Sequence, residues 1–275
     1  MAILTDAPVI LDPPAPPPVP YGLFNAAVGP LPLPRLEAAV GGIEYQPDTC
    51  GPARLWASEC ESVTAKVFDD GPDTISADPF VVYASWLCGS IGYTEEEIRR
   101  RLLTTLNLKA QRAVEARLWQ GSTGLGLTGL LPAQAVSLGN AGCTTEAVQL
   151  LEQALADNAV AGGIIHARAG IGNWLGNEHL IERPRANLLT TPYGTPYSLG
   201  QGYAGTGPAG QATTSTTEWM YASGRVVVWA SDVFIPPIRE VLNRSTNQQY
   251  AIAEQQYLLA IECGVWAVQV TRECP

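Results

Sequence analysis

Charge is scarce in this chain. Asp, Glu, Lys and Arg make up 15% of its 275 residues, against roughly 25% in ordinary soluble domains, so little surface repulsion keeps copies apart. Basic charge is scarcest: two lysines, Lys66 and Lys109, and 14 arginines stand against 26 acids, for a formal net charge of -10. A free-standing nucleic-acid reader needs a basic stripe to neutralise phosphates, so direct DNA binding is argued against. With only His166 and His179, imidazole chemistry has few candidates, and both histidines are expected to be structural. The six cysteines (Cys50, Cys60, Cys88, Cys143, Cys263, Cys274) include no C-x-x-C pair, which speaks against a zinc ribbon or a thioredoxin-type site and favours free thiols in a reducing compartment. No apolar run reaches eighteen residues, and the first residues lack a basic region followed by a long apolar one. Neither a membrane span nor export is expected, and the chain is expected in the cytosol when made.

Apolar residues, by contrast, are plentiful: 46% of the chain is hydrophobic, with 27 glycines and 22 prolines, and mean hydropathy is +0.06. Such a chain can bury a core of normal size, and its surplus points to surface covered by other subunits. Ten of the prolines fall in residues 1–34, which reads as an extended arm with apolar residues (Tyr21, Leu23, Phe24, Leu31) to lay against a neighbour rather than a domain. Residues 43–45 and 62–68 carry β-forming residues and suit an extended hairpin ended by Asp69–Asp73, with a further strand at residues 79–84.

The clearest element starts at Thr94. Thr94 with Glu97 forms a capping box, and Glu95 and Glu96 sit at the positive helix end with Arg99, Arg100 and Arg101 one turn on. Ile98, Leu102, Leu106, Ala110, Ala113 and Leu118 then recur at helical spacing to about Trp119, opposite a polar face of Lys109, Arg112 and Glu115. A second helix is expected over residues 145–158, a buried strand over 162–167, and a turn into a short helix over 170–175. Residues 190–217 read as a long polar loop. Residues 219–222 and 225–229 look like a hairpin turning at Ser223–Gly224, and residues 249–262 and 265–271 like long antiparallel strands split by Cys263–Gly264, with a helix as the alternative for the first of them.

The chemical motifs are weak. Gly124-x-Gly126-x-x-Gly129 matches a dinucleotide fingerprint in letters, but it follows a helix, and Pro132 discourages the helix that should open; a flexible glycine hinge is expected. Gly170-Ile-Gly172 follows a strand, yet it lacks the third glycine at the right spacing and the acid about twenty residues on, so it reads as an ordinary turn. No G-x-S-x-G elbow occurs, and His179 beside Glu178 and Glu182 reads as a solvated face rather than a metal site. No catalytic, cofactor-binding or metal residue is therefore assigned, and no cofactor is expected.

The order of elements resembles the major capsid proteins of tailed bacteriophages, the Hong Kong 97 fold. Residues 94–119 resemble the spine helix of the peripheral domain, 161–175 the strand-then-helix of the axial domain, Tyr193-Gly-Thr-Pro-Tyr197 a turn from surface loop into strand, and 238–271 the return to the peripheral domain. The resemblance implies an α+β subunit with an N-terminal arm (1–38), an E-loop (39–78), a peripheral domain (79–143 and 235–275) and an axial domain (144–234). It further implies a non-enzymatic structural protein that self-assembles through hexamers and pentamers into an icosahedral shell around double-stranded DNA, in the virion after assembly in the host cytoplasm. Portal, scaffold or decoration proteins are the other implied partners, and no membrane is involved. An encapsulin-like cage, a minor capsid subunit, and an α+β enzyme with residues 190–217 as a lid are the alternatives. Lys66 is the one lysine of the E-loop, and no covalent cross-link through it is expected.

Overall fold

The computed structural model describes residues 19–35, 37–51, 53, 71–89, 94–122, 124, 126–214, 216–237, 242–243 and 248–271. The expected strand at 62–68 with Lys66, the prolines of residues 13–18 and most of the return at 238–247 lie outside them. The proline-rich start supplies α1 (Leu23–Ala26), β1 (Val28–Pro32) and α2 (Ala38–Gly41). β2 (Ile43–Tyr45) and β3 (Ile75–Ala77) pair antiparallel and lead to β4 (Phe80–Gly89) and α3 (Glu95–Trp119). Next come β5 (Gly121–Ser122), β6 (Leu127–Thr128), α4 (Leu130–Gln134), β7 (Ala135–Ala141), α5 (Thr144–Asp157), β8 (Ile164–Arg168) and α6 (Ile171–Asn177). β9 (Glu182–Arg185), β10 (Leu188–Thr190), β11 (Pro196–Gly200), β12 (Thr217–Ser223), β13 (Val226–Ala230), β14 (Leu242–Asn243), β15 (Gln248–Ile261) and β16 (Val265–Thr271) complete the chain. No helix among the described residues is long and apolar enough to cross a membrane.

Helix α3 starts as its sequence dictates. The Glu97 amide donates to Thr94 Oγ1 at 3.2 Å and the Thr94 amide to the Glu97 carboxylate at 2.7 Å, so two otherwise orphaned donors are satisfied reciprocally. Ile98, Leu102, Leu106, Ala110 and Leu118 are buried, in one cluster with Val82 and Ala84 of β4 and Ala251, Ala253 and Leu259 of β15. The expected polar face is wrong at one residue: Glu115 is fully buried, as is most of Gln111. The side of the helix that spacing alone marks as solvated is covered by α1 and by the loop after β11.

Two sheets carry the rest. A five-stranded sheet runs β1-β13-β15-β14, with β4 on the other side of β15; a seven-stranded sheet runs β7-β16-β12-β8-β11-β10-β9. The expected hairpin at Ser223–Gly224 is not one. β12 pairs with β16 in the larger sheet, while β13 pairs with β15 in the smaller. Likewise β15 and β16 do not pair with each other. The two stretches 217–230 and 257–271 form one long antiparallel ribbon that leaves one sheet and enters the other at a corner. At that corner two residues, Gly224 and Arg225, face three, Glu262 to Gly264, because Ser223 is opposite Val265 and Val226 is opposite Ile261. An unequal count of this kind bends a ribbon. Gly224 is required there, since a Cβ would lie 1.8 Å from the Glu262 carbonyl oxygen.

Alternate residues on the ribbon serve two cores. Trp219, Tyr221, Val265 and Ala267 join the cluster under α3, whereas Met220, Ala222, Trp266, Val268 and Val270 pack with α5 and α6 residues such as Leu151, Leu155 and Ile171. Both faces of the larger sheet are thereby covered, which is why its central strands read as continuous apolar runs. Three further expectations change. The glycine-rich segment closes into a β5–β6 pair instead of a hinge, and α4 forms despite Pro132, which sits in the first turn where an amide is not needed. Residues 190–217 include the interior strand β11 and the buried Tyr203, so this segment is no lid.

Candidate assembly site

The corner holds a buried charged side chain, Glu262, among several polar partners. Glu262 is fully buried, and Arg225 reaches it with two parallel bonds, Nε to Oε2 and Nη2 to Oε1, both 2.9 Å. Tyr45 of β2 donates to Oε1 at 2.8 Å and Thr49 to Oε2 at 2.5 Å. Burial pushes the Glu262 carboxyl up, but the bonds from Arg225, Thr49 and Tyr45 together outweigh it and hold the group below the usual carboxylate range. β2 and the residues just after it are thus tied to the ribbon corner. Cys50 is bonded to Cys263 there, with Cα atoms 5.1 Å apart, which corrects the expectation of six free thiols. Ile43, Tyr45, Ile75 and Trp229 pack over Leu258 and Ala260 beside them.

A second buried network lies on the other side of the corner. Ser223 Oγ donates to the Gly224 carbonyl and so accepts from His166 Nε2 at 2.8 Å. The bare Nδ1 then accepts from the Tyr203 hydroxyl at 3.0 Å, which in turn accepts from Ser198 at 2.7 Å. The resulting imidazole is neutral, and burial lowers its pKa from 6.5 to about 3. A serine and a histidine do meet here, but both are completely buried and every polar atom of the ring is engaged, so the network braces strands and has no access to a substrate. The sign of its titration is definite. The unfolded chain takes up a proton below about pH 6.5 and the folded chain does not, so stability is complete above that pH and falls at about 1.4 kcal/mol per pH unit below it. Denaturant titrations of the subunit at pH 7 and pH 5 should show that loss, and His166→Gln should remove most of the slope while lowering stability at pH 7.

His179 is exposed just after α6. Its neighbour Glu178 accepts from the Thr144 hydroxyl and from the Thr145 amide and hydroxyl, at 2.5–2.6 Å, and so caps the start of α5. Among the described residues no group of three or more His, Cys, Asp or Glu is placed to hold a metal ion. Gly170–Gly172 is the strand-to-helix turn expected, and Thr191–Thr195 is the tight turn into β11.

Outward, the smaller sheet offers an uncovered surface. On the face opposite α3, Val81 (47% exposed), Tyr83 (64%) and Leu87 (56%) of β4 line up beside Tyr250 (42%) of β15. Among the described residues no strand pairs with the outer edge of β4. That ten-residue edge carries neither proline nor charge. The larger sheet ends on one side at β9, whose Glu182, Arg183, Pro184 and Arg185 are all exposed and block further pairing, and on the other at β7, which like β4 carries neither proline nor charge. Among the described residues the β4 edge is left unpaired beside an apolar face, a combination typical of contact surfaces.

This arrangement is the Hong Kong 97-like capsid fold. The chain is similar over nearly its whole length to the capsid of a native GTA particle (TM-score 0.57, 12% identity, covering 98% of each chain). It is similar also to the capsid of Ralstonia phage GP4 (0.55, 9%, covering 99% of this chain and 97% of that one) and to Mycobacterium phage Che8 (0.53, 13%, 97% and 98%). At these identities the likeness is one of fold. No protein-family model and no curated protein matches the chain.

Proposed function

We propose that this chain is a major capsid protein that assembles into the icosahedral head shell around packaged phage DNA. The observation that carries the reading is a fold shared end to end with subunits of assembled shells, combined with an unblocked β4 edge and apolar face of its own. Closed shells need one subunit to make the same few contacts repeatedly, and a low-charge surface rich in Tyr and Val suits them. The net charge of -10 suits a container whose contents should not adhere to it. Portal, scaffold or decoration proteins would be its other partners in the virion, with assembly in the host cytoplasm.

Within that reading, residues 1–38 serve as the arm, 39–78 as the E-loop based on β2 and β3, 79–143 and 235–275 as the peripheral domain, and 144–234 as the axial domain. The ribbon exchanges two strands across these limits, β13 lying in the sheet with β15 and β16 in the sheet with β12. Tyr83→Asp with Leu87→Asp tests the reading. Negative-stain microscopy should show closed shells for the parent chain and none for the variant, whose melting curve stays cooperative because neither side chain is buried. Monomers from the parent chain, or normal shells from the variant, would refute it.

A further inference from the structure

We infer that Cys50 and Cys263 form an oxidation site that closes after assembly and locks the base of the extended loop to the ribbon corner. The proposal rests on the capsid reading for its timing and on the corner's own geometry for its chemistry. Thr49 and Tyr45 hold the Glu262 carboxylate at 2.5 and 2.8 Å, and the residues next in sequence to Thr49 and Glu262 are the two cysteines. Those bonds do not depend on the sulfur bridge. They keep the two thiols within bonding range in the reduced chain, although 213 residues separate them in sequence. Both cysteines are partly exposed, so a small disulfide can reach them. The bridge ties the segment after β2 to the turn between β15 and β16, so oxidation removes any pivot of the loop base about the corner while leaving the sheets untouched.

The chemistry balances as thiol–disulfide exchange. One protein thiolate attacks a small-molecule disulfide such as oxidised glutathione and expels one small thiol; the second thiolate attacks the mixed disulfide, forms the Cys50–Cys263 bond and expels the other. The protein loses two electrons and two protons, and both small thiols carry them away. A reducing cytosol holds the pair open during assembly, and release of particles from the cell lets it close.

Alkylation of denatured particles with N-ethylmaleimide, followed by intact mass and peptide mapping, reads the state directly. Particles acid-quenched inside cells should carry six labels per chain, matching the six cysteines. After incubation with oxidised glutathione they should carry four, with a peptide pair joining Cys50 to Cys263, and their melting midpoint should rise by roughly 10 °C. The double variant Cys50→Ser, Cys263→Ser should assemble, since the Glu262 bonds remain, and should show neither the label loss nor the shift. Six labels after oxidation, or label loss that persists in the double variant, would overturn the pairing; four labels in quenched cells would overturn the timing. Absence of shells would count against the capsid reading instead, with the label count still readable on the free subunit.

Discussion

Deletion of residues 1–34 is expected to give an insoluble subunit, whereas deletion of residues 1–18 should leave one that is soluble and melts cooperatively. Composition alone presents the whole proline-rich stretch as an arm that serves assembly, but its second half is woven into the subunit. Leu23 is completely buried. The Tyr21 amide donates to the Asn187 carbonyl and its carbonyl accepts from the Leu199 amide at 2.7 Å, while β1 adds a parallel edge to β13. Glu115 explains the dependence best. Its carboxylate accepts from the Leu23 amide at 3.0 Å and from the Gly202 amide at 2.9 Å, so one buried side chain of α3 holds the entering chain and the loop after β11 together. Burial pushes this carboxyl's pKa up, and those bonds, with others from Gln111 and Gln201, oppose the rise. Losing the Leu23 side chain costs about 2–5 kcal/mol, and unmaking a hydrogen bond to a charged group costs about 1.5–3 more. Together these approach the 5–15 kcal/mol that holds a typical domain folded. Soluble protein with a parental melting curve after removal of residues 1–34 would show that the start of the chain is an appendage after all.

The elements that were legible in sequence are those whose cause is local. A capping box followed by helical spacing located α3 to within a residue, and the same reasoning placed α5, β8 and α6. Pairing was not legible. Ser223–Gly224 has the letters of a hairpin turn, and only the distant strands β15 and β16 decide that the chain crosses between sheets there instead. Glu115 has helical spacing on a face that should meet water; what covers that face is α1, more than ninety residues earlier in the chain. The turn at Tyr193–Tyr197 announces a strand, but the interior place of β11 is not legible because Pro-Tyr-Ser-Leu-Gly looks polar, yet Ser198 is satisfied by Tyr203 inside the core. The Cys50–Cys263 pair joins residues whose separation carries no spacing signal, and connectivity among six cysteines has many solutions. The Hong Kong 97 resemblance supplied the architecture, whereas the corner that joins its two sheets appears only in the structure.

Arg225→Ala should be the most damaging single substitution at that corner. It leaves Glu262 completely buried with its charge unanswered, apart from the hydroxyls of Tyr45 and Thr49. Removing one partner of a fully buried pair costs about 3–5 kcal/mol; because the Arg225 side chain is 37% exposed and screened by water, the expected loss falls below that range, at about 2–3 kcal/mol. The pH dependence identifies the cause. In the parent chain the Glu262 carboxyl lies below its unfolded value, so its stabilisation is fully present above the unfolded value and is lost as the pH falls from there through the lower folded one. Without Arg225 the largest of the interactions that oppose burial is gone, so the carboxyl moves up and the deficit of the variant is relieved by protonation as the pH falls. The stability deficit of Arg225→Ala should therefore be largest near pH 7.5 and shrink toward pH 4.5 in denaturant titrations. The His166 slope is common to both chains and cancels in the difference. Glu262→Gln, which removes the charge, keeps one acceptor oxygen for Arg225 and offers an amide from which the Tyr45 or Thr49 hydroxyl can accept, should lose less than Arg225→Ala at pH 7.5. A deficit independent of pH, or a glutamine variant as damaged as the alanine one, would mean that Arg225 acts through packing of its aliphatic stem rather than by neutralising a buried carboxylate.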